Sequence, residues 1–531
     1  MSGTDPRRWL RDARRMVARL PSLRMGRVPD APALPVRDPW PGDPVRGARL
    51  LRGELESGGA VCTLKPGEWG AGSVVLRASA HSFGWLRDLR ALGTDAARLL
   101  SRALVADWIN NQPSDPVTRR PDVMGARITA WLGHYDFFAA TADDPFRQKL
   151  MGRLVADARG LSAALPAEEL DARALTALKG LIAAAVALPE HAGLLTRALR
   201  FLPQEIARQI LPDGCHAERS PAAQLAALQD LTEIRALLQA SQTQPPPALS
   251  AAIERMAPAL RVMRHGDGGL ALFNGSKEES SILIDLVLTQ AGRGGRGPSA
   301  LADGGFQRLQ AGRSVLIVDC GAPPPPGVDR YAHAGTLSME LSIGRERLIV
   351  NCGAFPAGPL EWRDAARATA AHSTLVIADL SSSELRPDGL GRRPEEVKAQ
   401  RQEANGAHWL EVEHDGWRKP FGAVHRRRLY LAESGDDIRG EEVIEAAEPL
   451  PFTVRFHLHP DVQTSMQQDG ESVLLRLRSG GGWRLRADGA KLSLDESIYL
   501  GGPDPRRAEQ VVLTGHQDGP QQVKWAISKV G

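Results

Sequence analysis

Two short strings hold the residue types best suited to proton transfer. In YAHAG, Tyr331 and His333 stand two residues apart. In DGCHAERSPAAQL, His216 and Glu218 have the same spacing. Tyrosine, histidine and glutamate side chains all serve as general acids or bases in enzymes. These are the residues whose chemistry the rest of the chain has to position.

The residues after Glu218 read as the beginning of a helix. Ser220 fits the N-cap and Pro221 fits the first helical position. A helix N-terminus favours negative charge, so Arg219 and the free backbone amides could bind a carboxylate. Alternatively, Glu218 and Arg219 pair with each other and hold the turn.

The elements that carry these strings change character near residue 265. From 81 to 264, apolar residues recur at intervals of three and four, which predicts a series of helices. From 266 onward, short runs such as GGLALFNG and RSVLIVDCG alternate in polarity between turn residues, which predicts antiparallel strands. We therefore predict an α+β multidomain protein: an N-terminal arm and irregular cap over 1–80, a helical domain over 81–265 and an antiparallel β-sandwich over 266–531.

Composition excludes several classes of function. The 66 basic and 63 acidic residues leave a net charge of only +3, which argues against a nucleic-acid partner. The four cysteines are far apart, which fits a reducing compartment. No apolar run is long enough to span a membrane. The Arg-rich N-terminus lacks the apolar core of a signal peptide, so we predict a cytoplasmic protein, with membrane-peripheral binding of this arm as the alternative.

Several strings together resemble the heparinase II/III family of polysaccharide lyases. They are WPGDPVRGARLLRGEL, FGWLRDLRALG, LPDGCHAERSPAAQL, HAGTLSMELSIGRERLIVNCG and EWRDAARATAAHSTLVIAD, in the family's order over roughly residues 40 to 530. The resemblance implies an incomplete α/α toroid followed by a large antiparallel β-sandwich. It also implies β-elimination on an acidic, uronate-containing polysaccharide or oligosaccharide, without an organic cofactor.

That elimination removes the proton at C5 of the uronate and expels the sugar oxygen at C4. The neighbouring carboxylate has to be neutralised by a hydrogen-bond donor, a cation or a metal, because the C5 proton is otherwise too weakly acidic. A tyrosine or histidine acts as the base, and another one near the leaving oxygen acts as the acid.

The chain departs from the family pattern at the catalytic positions. Ala223 and Gln224 stand where the family has Tyr-His, and the helix that carries Asn-His in the family has neither residue here. The family's H-A-H-A-D string is YAHAG, with Tyr331 in place of the first histidine and Gly335 in place of the acid.

Three interpretations stay open. In the first, Tyr331, His216 and Glu218 form a rebuilt catalytic set, with Arg219 binding the substrate carboxylate. In the second, the chain has lost catalysis and binds an acidic polysaccharide or a protein, or acts in envelope polysaccharide assembly. In the third, the scaffold supports a different chemistry, since function depends on the site rather than on the fold.

The resemblance also implies a divalent metal in the sandwich, held by His333, Asn351 and His372. Asparagine replaces an aspartate of the family at 351. A neutral amide is a weak ligand for Zn²⁺, whereas Ca²⁺ tolerates it. The alternative is a hydrogen-bonded pair of buried histidines that ties strands together.

The remaining candidates would bind the substrate. Arg363 and Arg367 lie in EWRDAARATAAHST, where they could bind an acidic sugar or anchor the loop. Asn274 lies at the junction of the two halves, where it could face a substrate groove or form part of a turn.

Overall fold

A computed structural model describes residues 28–167, 171–188, 193–292, 297–467, 470–515 and 521–530. The chain forms two compact units. The first contains the chain up to Gln209 together with Ala226–Ile253, and the second contains Ile210–Leu225 and Glu254–Gly531. The Arg-rich arm over residues 1–27 lies outside the described residues, so its membrane-peripheral binding stays a prediction.

The first unit is mainly helical. Its helices are α1 (Pro44–Leu51), α2 (Val74–Ser82), α3 (Leu86–Leu92), α4 (Asp95–Asn111), α5 (Pro121–Gly133), α6 (Tyr135–Phe138), α7 (Asp144–Ala164), α8 (Arg173–Ala187) and α9 (Gly193–Gln209), with a 3₁₀ turn at Pro116–Arg119. Strands β1 (Glu54–Ser57), β2 (Ala60–Lys65) and β3 (Glu68–Trp69) form a small antiparallel sheet. The predicted series of helices is confirmed, whereas closure into a toroid stays a prediction.

Helix α1 lies in the segment that we expected to be an irregular cap. The Asp43 side chain accepts hydrogen bonds from the backbone N–H groups of Val45 and Arg46, and Pro44 occupies the first helical position. An N-cap aspartate followed by proline is a helix-start signal. Our expectation of an irregular cap was wrong here, and the Asp43-Pro44 pair already indicated the helix start.

Two glycines allow α5 and α8 to pack backbone against backbone. A Cβ atom at Gly180 would lie 2.2 Å from the Cα of Gly125, and a Cβ at Gly125 would lie 2.6 Å from the carbonyl oxygen of Thr176. Such distances require the helices to move apart.

We therefore expect Gly180→Ala to lower the free energy of unfolding by about 1–3 kcal/mol, the usual cost of overpacking. Gly152 in α7 is the matched control, because a Cβ there meets nothing within 4 Å. Gly152→Ala should be neutral or stabilise by up to about 1 kcal/mol, since alanine favours a helix. Urea unfolding followed by circular dichroism measures both variants, and equal effects would contradict this account of the helix contact.

The second unit contains two large antiparallel sheets. The smaller one has the strand order β12-β13-β14-β15-β22-β19-β18-β17, and the other has the order β20-β21-β16-β8-β7-β6-β5-β4, with β9 paired to β16. A hairpin, β10 and β11, stands apart. The strands are β4 (Ala300–Leu301), β5 (Phe306–Ala311), β6 (Ser314–Asp319), β7 (Met339–Ile343), β8 (Glu346–Val350), β9 (Leu375–Ile377), β10 (Leu385–Arg386), β11 (Gly389–Leu390), β12 (Val397–Ala404), β13 (Ala407–Trp417), β14 (Ala423–Leu431), β15 (Asp437–Glu445), β16 (Phe452–Leu458), β17 (Gln463–Met466), β18 (Ser472–Arg476), β19 (Gly482–Asp488), β20 (Lys491–Tyr499), β21 (Arg506–Gly515) and β22 (Gln522–Lys529).

Short helices connect these strands. They are α12 (Ser281–Ala291), α13 (Leu360–Arg367) and α14 (Arg418–Phe421), with a 3₁₀ turn at Thr369–Ala371. Helices α10 (Pro221–Ala240) and α11 (Pro247–Val262) contain two of the three points at which the chain passes between the units, and the third lies between Gln209 and Ile210. Within the described residues, no helix is long and apolar enough to cross a membrane. Cytoplasmic localisation stays a prediction.

The core of the second unit lies between the two sheets. Side chains from both sheets share one apolar cluster, including Leu316 and Leu341 from one sheet and Val412, Ile438 and Trp483 from the other. Burial alternates along strands such as β14, which is why the sequence has a period of two. The predicted change from helices to antiparallel sheets is confirmed.

The segment 210–225 belongs to the sandwich unit, although we predicted a boundary at residue 265. A Cβ at Gly214 would lie 2.2 Å from the carbonyl oxygen of Arg255, so only glycine allows this contact. The predicted strand in GGLALFNG is replaced by a loop with one bridge, between Arg264 and Leu270. Asn274 and Gly275 both have positive φ there, at 44° and 77°.

Candidate functional site

A recess in the second unit contains Tyr331. We call it the Tyr331 recess; its volume is about 380 Å³, including the solvent at its mouth. The lining consists of Gly275, Arg330, Tyr331, His333, Ala354, Phe355, Pro356, Arg363, Ala366, Arg367 and Pro387. Three of these residues are arginines and none is acidic. The recess therefore favours an anionic group.

Tyr331 presents the group best placed for chemistry in this recess. Its side chain is half-buried, and within the described residues its hydroxyl makes no hydrogen bond. The turn at Gly275 lets the backbone approach closely, since a Cβ there would lie 3.1 Å from the Tyr331 Cβ. The Arg330 guanidinium lies 5.8 Å from the centre of the tyrosine ring. A ligand in the recess would meet both the phenol and a cation.

His333 and His372 form a buried hydrogen-bonded chain. The Gly275 N–H donates to His333 Nε2 at 3.0 Å, so that nitrogen carries no proton. His333 Nδ1–H therefore donates to His372 Nε2 at 3.0 Å, and His372 Nδ1–H donates to the Ala368 carbonyl at 2.8 Å. Every ring nitrogen has a partner in this arrangement.

Burial keeps both rings neutral. It lowers the pKa of His333 well below its usual value, and His372 and Arg367 lower it further. Burial also lowers the pKa of His372 to about 4, although the Ala368 carbonyl opposes that shift. At neutral pH neither ring takes up a proton, and neither has a free lone pair with which to act as a base.

The predicted metal ligands do not fit a bound metal in this arrangement. The Asn351 side chain donates to Glu340 Oε1 at 3.1 Å and accepts from the Ser373 N–H at 3.0 Å. The lone pairs of both histidines are engaged with each other or with the backbone. In the described part of the chain, no three His, Cys, Asp or Glu residues are placed to hold a metal ion. The metal stays a prediction that the geometry does not support.

Gly335 explains why the two histidines can meet. A Cβ atom at this position would lie 2.7 Å from His372 Cδ2. The acidic side chain that the family has here would therefore collide with the ring unless His372 moved. The lack of a side chain at Gly335 therefore leaves the space in which the His372 ring contacts His333.

His216 and Glu218 do not join Tyr331 in the recess. The His216 side chain is fully buried, and its Nδ1 accepts a hydrogen bond from the Glu218 N–H at 3.2 Å. The His216 N–H donates to Gln224 Oε1 at 2.6 Å. Neither residue lines the recess. These contacts hold the turn before α10, and the predicted rebuilt catalytic set does not form one pocket.

Arg219 and Asn274 also have structural partners. The Arg219 guanidinium donates to the carbonyls of Gly304 at 2.7 Å and Ala322 at 2.8 Å, and it pairs with Asp319. Asn274 donates to the Arg219 carbonyl at 2.9 Å and accepts from the His333 N–H at 3.1 Å. Both residues are buried. Their hydrogen bonds position the loops around the recess, and ligand binding by either residue stays a prediction.

The two arginines of α13 differ in their freedom to bind. Arg367 is buried and donates to the carbonyls of Ala332, Arg386 and Gly389, at distances between 2.7 and 3.0 Å. The Arg363 side chain is 32% exposed, and its buried Nε has no hydrogen-bond partner among the described residues. The Asp364 carboxylate lies 3.7 Å from that Nε, beyond a good hydrogen bond. Arg363 is therefore the α13 arginine with capacity to bind an anion, and Arg367 anchors the loop.

Sequence reasoning missed three residues at this site. Arg330 directly precedes Tyr331, and Phe355 lines the recess. Trp362 packs edge-on against Phe355 with ring centres 6.1 Å apart, and it is 43% exposed. A signal for Trp362 was present, because it directly precedes Arg363 in the EWRDAAR string. Phe355 gave no comparable signal, since its place depends on the loop after β8.

Comparisons with known proteins agree with the resemblance. Residues 293–526 match the domain described as "Heparinase II/III-like, C-terminal". The chain is 32% identical to FtsZ-localized protein C of Caulobacter vibrioides over 519 residues, which cover 93% of this chain and 89% of that protein.

Solved structures share the fold at low identity. Heparinase III has 14% identity and a TM-score of 0.71, with 87% of this chain and 79% of that one covered. The heparan sulfate lyase HepC from Pedobacter heparinus has 15% identity and a TM-score of 0.59, with 98% and 88% covered. The helical unit, the paired antiparallel sheets and these matches lead to one conclusion: the chain belongs to the heparinase II/III-like family.

Proposed function

We propose that the chain binds a uronate-bearing saccharide in the Tyr331 recess and does not cleave it. The observation that carries the proposal is the lining of that recess, which has three arginines around a tyrosine and no carboxylate. Arg330 and Arg363 have donors available for a sugar carboxylate, and charge-assisted hydrogen bonds of this kind are strong. A structural relative is named for its action on heparan sulfate, an acidic polysaccharide.

The proton-transfer groups around the recess disfavour turnover. β-Elimination needs a base at C5 and an acid at the C4 oxygen. His333 has both ring nitrogens engaged, and neither His216 nor Glu218 lines the recess.

A lyase is the second candidate, because the Tyr331 hydroxyl makes no hydrogen bond within the described residues. The Tyr331 side chain, as its phenolate, could remove the C5 proton, and the phenol so formed could donate that proton to the C4 oxygen on the same face of the sugar as the C4–O bond breaks. Elimination leaves a conjugated double bond that absorbs ultraviolet light. An absorbance rise that is lost in Tyr331→Phe would favour the lyase over the binding protein.

The binding proposal predicts a loss of affinity in Arg363→Ala. We expect a Kd about 10- to 100-fold weaker for uronate oligosaccharides, because a hydrogen bond to a charged group contributes about 1.5–3 kcal/mol. Calorimetry against fragments of polygalacturonate, alginate, hyaluronan and heparan sulfate measures it. The control is Arg418→Ala, an arginine that is 53% exposed and lies outside the recess. Equal affinities of the two variants, or no binding by the wild-type chain, would contradict the proposal.

A further inference from the structure

The outer face of the eight-stranded sheet carries a row of side chains that the Tyr331 recess does not use. Strand pairing places Trp409 beside Tyr430, Tyr430 beside Arg439, Arg439 beside Ala526 and Ala526 beside Arg486. The row thus crosses β13, β14, β15, β22 and β19. It lines a trough of about 1540 Å³, including the solvent at its mouth. We call this feature the Trp409 trough.

One end of the trough is an aromatic platform. Trp409 is 42% exposed although it lies within a strand. Its ring centre is 5.2 Å from that of Tyr430, with 47° between the ring planes. The Arg439 guanidinium lies 5.9 Å from the centre of the Tyr430 ring. An aromatic face beside a polar group suits a ligand that has both an apolar face and hydroxyl groups.

The other end of the trough contains an arginine, Arg486, that has no charged partner among the described residues. Arg486 makes no ion pair or hydrogen bond with the described residues, and it lies on the exposed side of β19. Lys524 is 67% exposed and lies 4.0 Å from Glu441, at the limit of an ion pair. Asp488 faces Lys524 across the strand pair. The guanidinium of Arg486 is therefore available to an anionic group.

The neighbouring charges in the trough are already paired. Arg428 lies 2.8 Å from both Glu411 and Glu441, and Arg439 lies 2.6 Å from Asp437. These ion pairs present hydrogen-bonding groups on the walls of the trough, and their opposite charges largely cancel. Between them, the small side chains of Ala526 and Ser528 keep the floor of the trough low. A long ligand can lie there without displacing a side chain.

We propose that the Trp409 trough is a second saccharide site, which takes an acidic oligosaccharide with one sugar ring on Trp409 and a carboxylate on Arg486. From β13 to β19 there are four steps between strands, about 19 Å at ~4.8 Å each, which is room for several sugar units. We favour a saccharide over a protein partner, because the paired charges of the walls can hydrogen-bond to sugar hydroxyls and Arg486 can pair with a carboxylate. The trough shares no residue with the Tyr331 recess.

Binding stoichiometry tests the proposal with the full chain. Calorimetry uses the same panel of uronate fragments on the wild type, Arg363→Ala, the Trp409→Ala/Arg486→Ala double variant and the combination of all three substitutions. We expect two sites per chain in the wild type, two in Arg363→Ala with the Kd of the recess site weakened about 10- to 100-fold, and one in the double variant. The combination should retain only the weakened recess site. Trp409→Phe keeps an aromatic face and should retain the trough site.

Each site can fail on its own in this design. An unchanged stoichiometry in the Trp409→Ala/Arg486→Ala variant would overturn the trough, whatever Arg363→Ala does. If the Trp409→Ala/Arg486→Ala variant loses a site while Arg363→Ala binds as the wild type does, the recess proposal fails and the trough proposal stands. A second copy of the chain could also occupy the trough, and sedimentation of the wild type and of Trp409→Ala tests this. A dimer that is lost in the variant would assign the trough to a second copy and overturn the proposal.

Discussion

Glu442→Gln is expected to lower the free energy of unfolding by about 3–5 kcal/mol, because it leaves a buried cation without its counter-ion. Glu442 is fully buried between the sheets, where it accepts hydrogen bonds from His425 at 2.7 Å, Arg427 at 2.9 Å and Trp525 at 3.0 Å. Burial raises the pKa of Glu442, but Arg427 and His425 outweigh it and hold the pKa at about 2. The charged form of the carboxylate is therefore part of the folded core.

Glu411→Gln is the matched control for this substitution. Glu411 also pairs with an arginine, Arg428 at 2.8 Å, but its side chain is 44% exposed. Exposed pairs contribute about 0–1 kcal/mol, so this variant should change the urea midpoint little. If the two variants lose the same stability, Glu442 does not anchor the core.

A loss of stability in mild acid is the second large effect that we expect. Burial lowers the pKa values of His333 and His414, and it lowers those of His372 to about 4 and His457 to about 3. In the unfolded chain these groups take up a proton below about pH 6.5. Their contribution to stability is therefore fully present above that pH, and it is lost as the pH falls toward the folded-state values. For His372 alone the difference corresponds to about 3 kcal/mol.

Urea unfolding at a series of pH values between 7.5 and 4.5 measures this effect. We expect the free energy of unfolding to fall steadily over that range, before carboxylates such as Glu442 begin to titrate in the folded state. In His372→Gln the fall should be smaller by about 2–3 kcal/mol, since one buried titrating group is gone. A free energy that stays constant between pH 7 and 5 would contradict the burial of neutral histidines.

Local signals in the sequence predicted the elements that depend on local chemistry. Helix α10 begins at Pro221 as predicted, and Ser220 accepts a hydrogen bond from the Ala223 N–H as its N-cap. The Asn-Gly pair at 274–275 is a turn signal, yet we read GGLALFNG as a strand because its apolar residues alternate. The error arose from giving periodicity more weight than the turn residues.

Contacts between distant residues account for what the sequence could not predict. Arg219 was a candidate ligand-binding residue, but its partner Asp319 lies a hundred residues along the chain. The resemblance implied that His333 and His372 meet, and they do, at 3.0 Å. That their lone pairs are engaged depends on the backbone of Gly275 and Ala368, which no motif encodes.

In the Trp409 trough, too, local sequence predicts part of the surface and contacts between distant strands determine the rest. Period-two alternation tells which residues of β13, β14 and β19 face outward. It does not tell which strands are neighbours, because β19 pairs with β22 and β22 with β15, far from their order in the chain. Trp409 and Arg486 share a row only through that pairing. The sequence therefore indicated exposed side chains without indicating that they form one surface.

The most direct test of the central claim follows binding and cleavage in one titration. Uronate fragments from polygalacturonate, alginate, hyaluronan and heparan sulfate are added to the wild-type chain and to Arg363→Ala. Bound ligand is measured by calorimetry, and the conjugated double bond is measured by ultraviolet absorbance in the same samples. We predict saturable binding of an acidic fragment, a Kd of the recess site about 10- to 100-fold weaker in the variant, and constant absorbance. An absorbance rise that grows with time and disappears in Tyr331→Phe would contradict the claim that the chain binds the saccharide without cleaving it.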